Sequence, residues 1–238
     1  MILRTDSILN FLSPKIEKRT LLILDAIRFT IQMIDESWIR LNESLLKYSQ
    51  QTSDKNLPDI FLDTWSIVDS SQRFFNLYKM IHSESNHQIL DSIKHIKSFR
   101  NTFEHLDERI DESLLNSVCP FWGALRWKYK NKKIKRIETF LAISGINYGS
   151  EHKINVVKYE NTEDLLIYNI QIETVDKKGN RIILNLDELV SSILKIIEIL
   201  EITLEAQSEK FDLKKHDWSL FRDTVVIFHE PLDTDAAL

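Results

Sequence analysis

The chain has 238 residues, of which 43% are hydrophobic and 28% are charged, the ordinary balance of a folded globular protein. Its formal net charge of −5 excludes an overall positive field that would attract nucleic acid or an anionic membrane. The single cysteine, Cys119, excludes both an internal disulfide bond and a zinc site built from several cysteines.

The first predicted element is a helix over residues 14–48. Ser13 is suited to the N-cap, and Pro14 is suited to the first helical position. Further along the helix, apolar residues recur at alternating intervals of four and three positions, which predicts one continuous apolar stripe. This stripe consists of Ile27, Ile31, Ile34, Trp38, Leu41, Leu45 and Tyr48.

Two further helices are predicted over residues 58–82 and 86–116. On the second helix, Asp69 and Arg73 lie one turn apart, so we expect them to form an ion pair. Apolar residues recur at helical spacing along the third helix as well. Three amphipathic helices need a partner for their shared apolar face, and a helix near the C-terminus can supply it.

The sequence pattern changes to that of strands after Pro120. Leu125, Trp127 and Tyr129 alternate with basic residues at the two-residue period of a strand. The segment Lys177–Asn180 is suited to a hairpin turn. The other predicted strands cover residues 134–143, 154–159, 166–175 and 181–186.

A fourth helix is predicted over residues 187–208 with Asp187 as its N-cap, and a short strand over Thr224–Phe228. The predicted fold is mainly α with a β insertion: a four-helix bundle with a small antiparallel sheet between the third and fourth long helices. The alternative is two separate domains divided near Pro120. In the first arrangement, the units are a helical bundle formed by 14–116 with 187–208, an inserted sheet at 121–186 and a C-terminal extension at 209–238.

A polar motif on the third predicted helix carries most of the functional signal. Four residues separate Arg100 from His105, and Asn101 follows the arginine directly. At about 100° per residue, Asn101 and His105 lie within roughly 40° of each other, opposite the apolar stripe. The motif resembles that of the HEPN family (higher eukaryote and prokaryote nucleotide-binding), in which an arginine precedes a histidine late in the third helix. A second match, from Arg222 to His229, crosses a predicted strand and is interpreted as accidental.

The resemblance implies a helical bundle that forms a homodimer and cleaves RNA without a metal ion or cofactor, leaving a 2′,3′-cyclic phosphate. It also implies that Arg100, Asn101 and His105 are catalytic. General chemistry favours the dimer as well, because such cleavage needs a base at the 2′-hydroxyl and an acid at the leaving 5′-oxygen. One His105 side chain cannot fill both roles at once, whereas a two-fold axis would supply two.

A cluster of basic residues on the first predicted strand is a second candidate for contact with RNA. In strand geometry, Arg126, Lys128 and Lys130 share one face, while Trp127 and Tyr129 lie on the other. Such a face would bind the RNA backbone near the active site. The alternative is a solvated sheet edge that lysines protect from pairing with another chain.

Two functional hypotheses from different classes follow. The first is a cytoplasmic endoribonuclease of HEPN type, acting in phage defence or a toxin–antitoxin system, with RNA as substrate and an antitoxin or defence-system protein as a further partner. The second is a non-catalytic helical adaptor or oligomerisation module that binds a partner protein or a nucleotide. We expect no membrane association, because no run of 18 uncharged apolar residues occurs, and no motif predicts a metal or cofactor site.

Overall fold

The computed structural model is a mostly helical α+β protein with one four-stranded antiparallel sheet. It confirms the predicted combination of helices with a small antiparallel sheet, while the four-helix bundle stays a prediction. The structure describes residues 2–50, 57–81, 96–104, 122–133, 135–145, 166–176, 180–210 and 223–228. In chain order, its elements are a 3₁₀ helix at Ile8–Asn10, α1 at Lys18–Gln50, α2 at Leu57–Ile81, α3 at Ile96–Glu104, β1 at Ala124–Asn131, β2 at Arg136–Ile143, β3 at Ile167–Val175, β4 at Arg181–Asn185 and α4 at Leu186–Lys210. The predicted strand at 154–159 and the predicted third helix beyond 96–104 lie outside the described residues.

Helix α1 begins four residues later than predicted. The Glu17 carboxylate accepts hydrogen bonds from the backbone N–H groups of Arg19 at 2.9 Å and Thr20 at 2.8 Å, so Glu17 caps the helix. Ser13, the predicted cap, instead accepts a hydrogen bond from the backbone of Lys15 at 3.2 Å within a preceding turn. A carboxylate that reaches two unpaired N–H groups at once satisfies the first turn better than a single hydroxyl does.

The predicted apolar stripe of α1 is buried against α2, and six of its seven members have at most 7% of their surface exposed. Trp38, the seventh, is partly buried beside the same core. Two polar pairs also connect α1 and α2. Arg40 Nη2 lies 2.7 Å from Asp63 Oδ1, and the hydroxyls of Ser37 and Ser66 lie 2.9 Å apart.

The sheet has the strand order β2-β1-β3-β4, and every neighbouring pair is antiparallel. Trp127 and Tyr129 of β1 contribute to the apolar core, as their alternation predicts. The indole of Trp127 stacks on Phe140 of β2 with ring centroids 5.3 Å apart. Its Nε1 also donates a hydrogen bond to Ser49 Oγ at 2.9 Å, which links the sheet to the C-terminal end of α1.

Strand β4 leads directly into α4. Asn185 Oδ1 accepts hydrogen bonds from the backbone N–H groups of Asp187 at 3.0 Å and Glu188 at 3.3 Å, so the prediction that Asp187 caps this helix was wrong. The Asp187 carboxylate instead accepts a hydrogen bond from Ile170 N at 2.6 Å, which ties the first turn of α4 to β3. The apolar face of α4 lies against β3, β4 and the N-terminal 3₁₀ helix.

The N-terminal segment belongs to the core. Ile2, Leu9 and Leu12 are buried with the apolar residues of the helices and the sheet, and Ile2 N donates a hydrogen bond to Asp35 Oδ1 at 2.9 Å. One apolar core therefore joins the described parts of the predicted bundle and of the predicted sheet insertion. No helix in the described part of the chain is long and apolar enough to cross a membrane.

The predicted strand at Thr224–Phe228 is wrong, because these residues pair with no described strand. Four consecutive apolar residues, from Val225 to Phe228, are exposed, and Phe228 is 85% exposed. Directly before them, the Asp223 carboxylate lies 3.1 Å from Nη2 of the buried Arg28 on α1. A β-prone sequence forms a strand only where a sheet edge accepts it, and this segment has no such neighbour among the described strands.

Candidate active site

Helix α3 holds Arg100 on a firmly packed scaffold. Ile96 and Phe99 are fully buried, and the helix packs against α2. Thr102 is also buried, and its hydroxyl lies 3.1 Å from the backbone carbonyl oxygen of Val175 at the end of β3. These contacts on two sides fix the position of the Arg100 backbone relative to α2 and the sheet.

The guanidinium of Arg100 is oriented by a carboxylate on the neighbouring helix. Its Nε donates a hydrogen bond to Asp69 Oδ1 at 2.9 Å, while Nε of Arg73 donates to Asp69 Oδ2 at 2.7 Å. The predicted pair of Asp69 and Arg73 is therefore confirmed, and Arg100 joins it from another helix. The Arg100 side chain remains 25% exposed, so the charge is held in place at the surface.

The two arginines also determine the charge of Asp69. Burial of its carboxyl is the largest single influence and raises the pKa, but the hydrogen bonds and charges of Arg73 and Arg100 together outweigh it. The pKa of Asp69 therefore lies below its ordinary value, and the carboxylate stays ionised at neutral pH.

Acid is expected to weaken the attachment of α3 to α2. Because the folded-state pKa of Asp69 is depressed, its stabilising contribution is present above the unfolded-state pKa, about 4, and is lost as the pH falls through the folded-state value. The difference in free energy of unfolding between wild type and Asp69→Asn should therefore shrink as the pH falls from 5 to 2. Urea denaturation across this range measures it, and Asp6→Asn, at an exposed carboxylate, is the control. If the difference in free energy of unfolding stayed constant across this pH range, the lowered pKa of Asp69 would be contradicted.

Of the other two residues of the motif, the structure describes Asn101 but not His105. Asn101 lies on α3 next to Arg100 and is partly exposed. His105 lies outside the described residues, directly after Glu104, the last described residue of α3. The predicted proximity of Asn101 and His105 therefore stays a prediction from helical periodicity.

The structure describes all three residues of the predicted basic strand face on β1. Lys128 is only 8% exposed, and this burial lowers the pKa of its ammonium. Nη2 of Arg126 lies 3.7 Å from the carboxylate of Glu173 on β3, and Lys130 is partly exposed. This face therefore combines a buried cation, an ion-paired cation and a partly exposed one. Contact with RNA through Arg126, Lys128 and Lys130 stays a prediction.

A large apolar cleft beside Arg100 was not predicted from the sequence. It has a volume of about 720 Å³, and Asp69, the partner of Arg100, is part of its wall. Other residues of the wall are Leu57, Phe61, Leu62, Trp65 and Trp122. They come from α2 and from the segment before β1, so no single periodic pattern identifies them. The sequence signal that could have pointed to the cleft is Trp122, a large aromatic residue directly before Gly123.

Comparison of the chain with protein-family models, with curated proteins and with solved structures found no match. Within the described ranges, no group of three or more histidine, cysteine, aspartate or glutamate side chains is arranged to hold a metal ion.

Proposed function

We propose that this protein is a metal-independent endoribonuclease of HEPN type that acts as a homodimer. The observation that carries the proposal is the oriented guanidinium of Arg100, which lies at the surface of a packed helix and is held by Asp69. Arginine stays charged at every physiological pH and offers a planar set of donors that fits a phosphate. A preset orientation lowers the reorganisation needed when the phosphate gains negative charge.

In the proposed reaction, the imidazole of His105 from one subunit takes the proton of the 2′-hydroxyl. The 2′-oxygen then attacks phosphorus, and the bond to the 5′-oxygen breaks. His105 of the second subunit donates a proton to that leaving oxygen, which gives a 2′,3′-cyclic phosphate and a 5′-hydroxyl. Arg100 stabilises the negative charge on the phosphorane, and Asn101 orients His105 or the phosphate.

The proposal includes the finer architecture. Helices α1, α2 and α3 would form the bundle typical of the family together with α4, which shares their apolar core but packs mainly on β3, β4 and the 3₁₀ helix. Residues 121–186 would be the inserted sheet. Arg126, Lys128 and Lys130 on that sheet would contribute to RNA binding. The expected setting is the cytoplasm, in phage defence or a toxin–antitoxin system, with an antitoxin or a defence-system protein as partner.

One observation favours the second candidate function, a non-catalytic adaptor that binds a partner protein. The exposed residues Val225–Phe228 form a continuous apolar segment, which is typical of a protein-interaction site. An adaptor of this kind would use the same helical scaffold without cleaving RNA.

Incubation of the purified protein with end-labelled single-stranded RNA in excess EDTA tests the proposed activity. We expect cleavage products that carry a 2′,3′-cyclic phosphate and a 5′-hydroxyl. DNA of the same sequence should remain intact, because it lacks the attacking 2′-hydroxyl. Intact RNA, equal cleavage of the DNA, or cleavage that requires added Mg²⁺ would contradict the proposal, and intact RNA would favour the adaptor.

A further inference from the structure

The wall of the cleft beside Arg100 is mostly apolar and aromatic, which is the chemistry of a binding site for a flat ring. Its wall contains the aromatic residues Phe61, Trp65 and Trp122, together with leucines of α2. Trp122 is 40% exposed, so its ring is accessible to a ligand in the cleft that it helps to form.

The backbone that carries Trp122 is fixed by hydrogen bonds from two directions. Trp122 N donates to Ser144 Oγ at 3.1 Å, and that hydroxyl donates to the carbonyl oxygen of Gly123 at 2.9 Å. From α2, Nε1 of Trp65 donates to the carbonyl oxygen of Trp122 at 3.2 Å. The aromatic side chain is therefore presented on an ordered backbone, which lowers the entropy lost when a ligand binds.

Gly123 adds a steric constraint to this arrangement. It has a φ angle of +92°, and a Cβ atom at this position would lie 2.7 Å from the backbone oxygen of Glu173. Only glycine fits this left-handed conformation so close to β3. The backbone conformation directly before β1, which positions Trp122, thus depends on a residue without a side chain.

The charges divide the region into two parts. Among the described residues of the cleft wall, Asp59 and Asp69 are the carboxylates, and their negative charge disfavours a phosphate inside the cleft. Arg100, which can bind a phosphate, is joined to the same wall through its 2.9 Å hydrogen bond with Asp69. An apolar site for a ring therefore adjoins a cationic site for a phosphate, and a nucleotide contains both groups.

We propose that the cleft binds an unpaired nucleobase of single-stranded RNA, stacked on Trp122, while Arg100 binds the adjoining phosphate. This inference rests on the proposed function, because it names the part of the substrate that lies beside the reacting phosphate. Stacking on an aromatic side chain is tolerant of sequence and requires a base that is free of a duplex. The enzyme should therefore select single-stranded RNA.

The test measures binding separately from cleavage. The probe is a fluorescently labelled single-stranded RNA with 2′-O-methyl riboses, which cannot be cleaved, and the readout is anisotropy. The variants are Trp122→Ala and Trp122→Phe, with Phe29→Ala as a matched control because Phe29 is half exposed on α1, outside the described cleft wall. The melting temperature of each variant reports whether it remains folded.

We expect Trp122→Ala to raise the dissociation constant about 5- to 100-fold, the range for loss of one stacked base. Trp122→Phe should keep most of the affinity, and Phe29→Ala should change it by less than about twofold. The salt dependence of binding should stay the same in Trp122→Ala, since the phosphate contacts remain. An abasic oligonucleotide should bind wild type weakly and show no further loss with Trp122→Ala.

Unchanged affinity in Trp122→Ala, or equal affinity for the abasic probe, would overturn the proposal. A change in oligomeric state in Trp122→Ala without a change in RNA affinity would also overturn it, since the cleft would then bind a second copy. The two proposals fail separately. Wild type that cleaves RNA with unchanged kcat/KM in Trp122→Ala refutes the stacked base alone, whereas wild type that binds through Trp122 without cleaving refutes the nuclease alone.

Discussion

Replacement of His105 by alanine is expected to lower the rate of RNA cleavage by about 10²- to 10⁴-fold, the usual contribution of a positioned acid or base. The expected loss applies to kcat, because the imidazole acts on protons in the transition state and contributes little to ground-state binding. Single-turnover cleavage of labelled RNA in EDTA measures the effect. Dimerisation of His105→Ala, measured by sedimentation, should be the same as that of wild type.

His95→Ala is the matched control for this prediction. His95 lies in the same predicted helix but, by helical periodicity, on a different side from Asn101 and His105. Its replacement should leave the cleavage rate within about twofold of wild type. Equal loss in both variants would indicate a structural effect, and full activity of His105→Ala would remove His105 from the mechanism.

The second large effect is expected at Phe99, the buried residue next to Arg100. Phe99 has no exposed surface and belongs to the apolar core, and the helix that carries it packs on α2. Phe99→Ala should lower the free energy of unfolding by about 3–5 kcal/mol, because it removes an aromatic ring and leaves a cavity. Urea denaturation at neutral pH measures the change.

Lys97→Ala provides the comparison on the same helix. Lys97 is exposed, so its replacement should change the free energy of unfolding by less than about 0.5 kcal/mol. A loss below about 1 kcal/mol in Phe99→Ala would show that α3 contributes little to the core, contrary to the observed packing. The scaffold of Arg100 would then be weaker than the structure indicates.

The long-range periodicity of the sequence predicted the elements better than their ends. Seven apolar positions at intervals of three and four identified α1, because burial on one face requires that spacing. The caps were predicted less well, since Glu17 and Asn185 act through hydrogen bonds that depend on local backbone geometry. Residue type and position in the sequence favoured Ser13 and Asp187 as the capping residues.

In the site, the sequence predicted the contact within one helix and missed the contacts between different elements. Asp69 and Arg73 lie one turn apart on a single helix, so the sequence predicted their pair. The third member, Arg100, is 31 positions away from Asp69 and reaches it only through the packing of α3 on α2. The cleft was missed for the same reason, because Trp122 meets Trp65 across 57 positions of sequence. The strand at Thr224–Phe228 failed because β-propensity does not reveal whether a partner edge exists.

The central claim is that two subunits complete one active site, and a defined heterodimer tests it most directly. Co-expression with two different tags allows purification of a dimer with one wild-type subunit and one His105→Ala subunit. If each site needs both imidazoles, this heterodimer should cleave RNA at least about 100-fold more slowly than wild type. A heterodimer that keeps about half of the wild-type rate would contradict the account, because each subunit would then work alone.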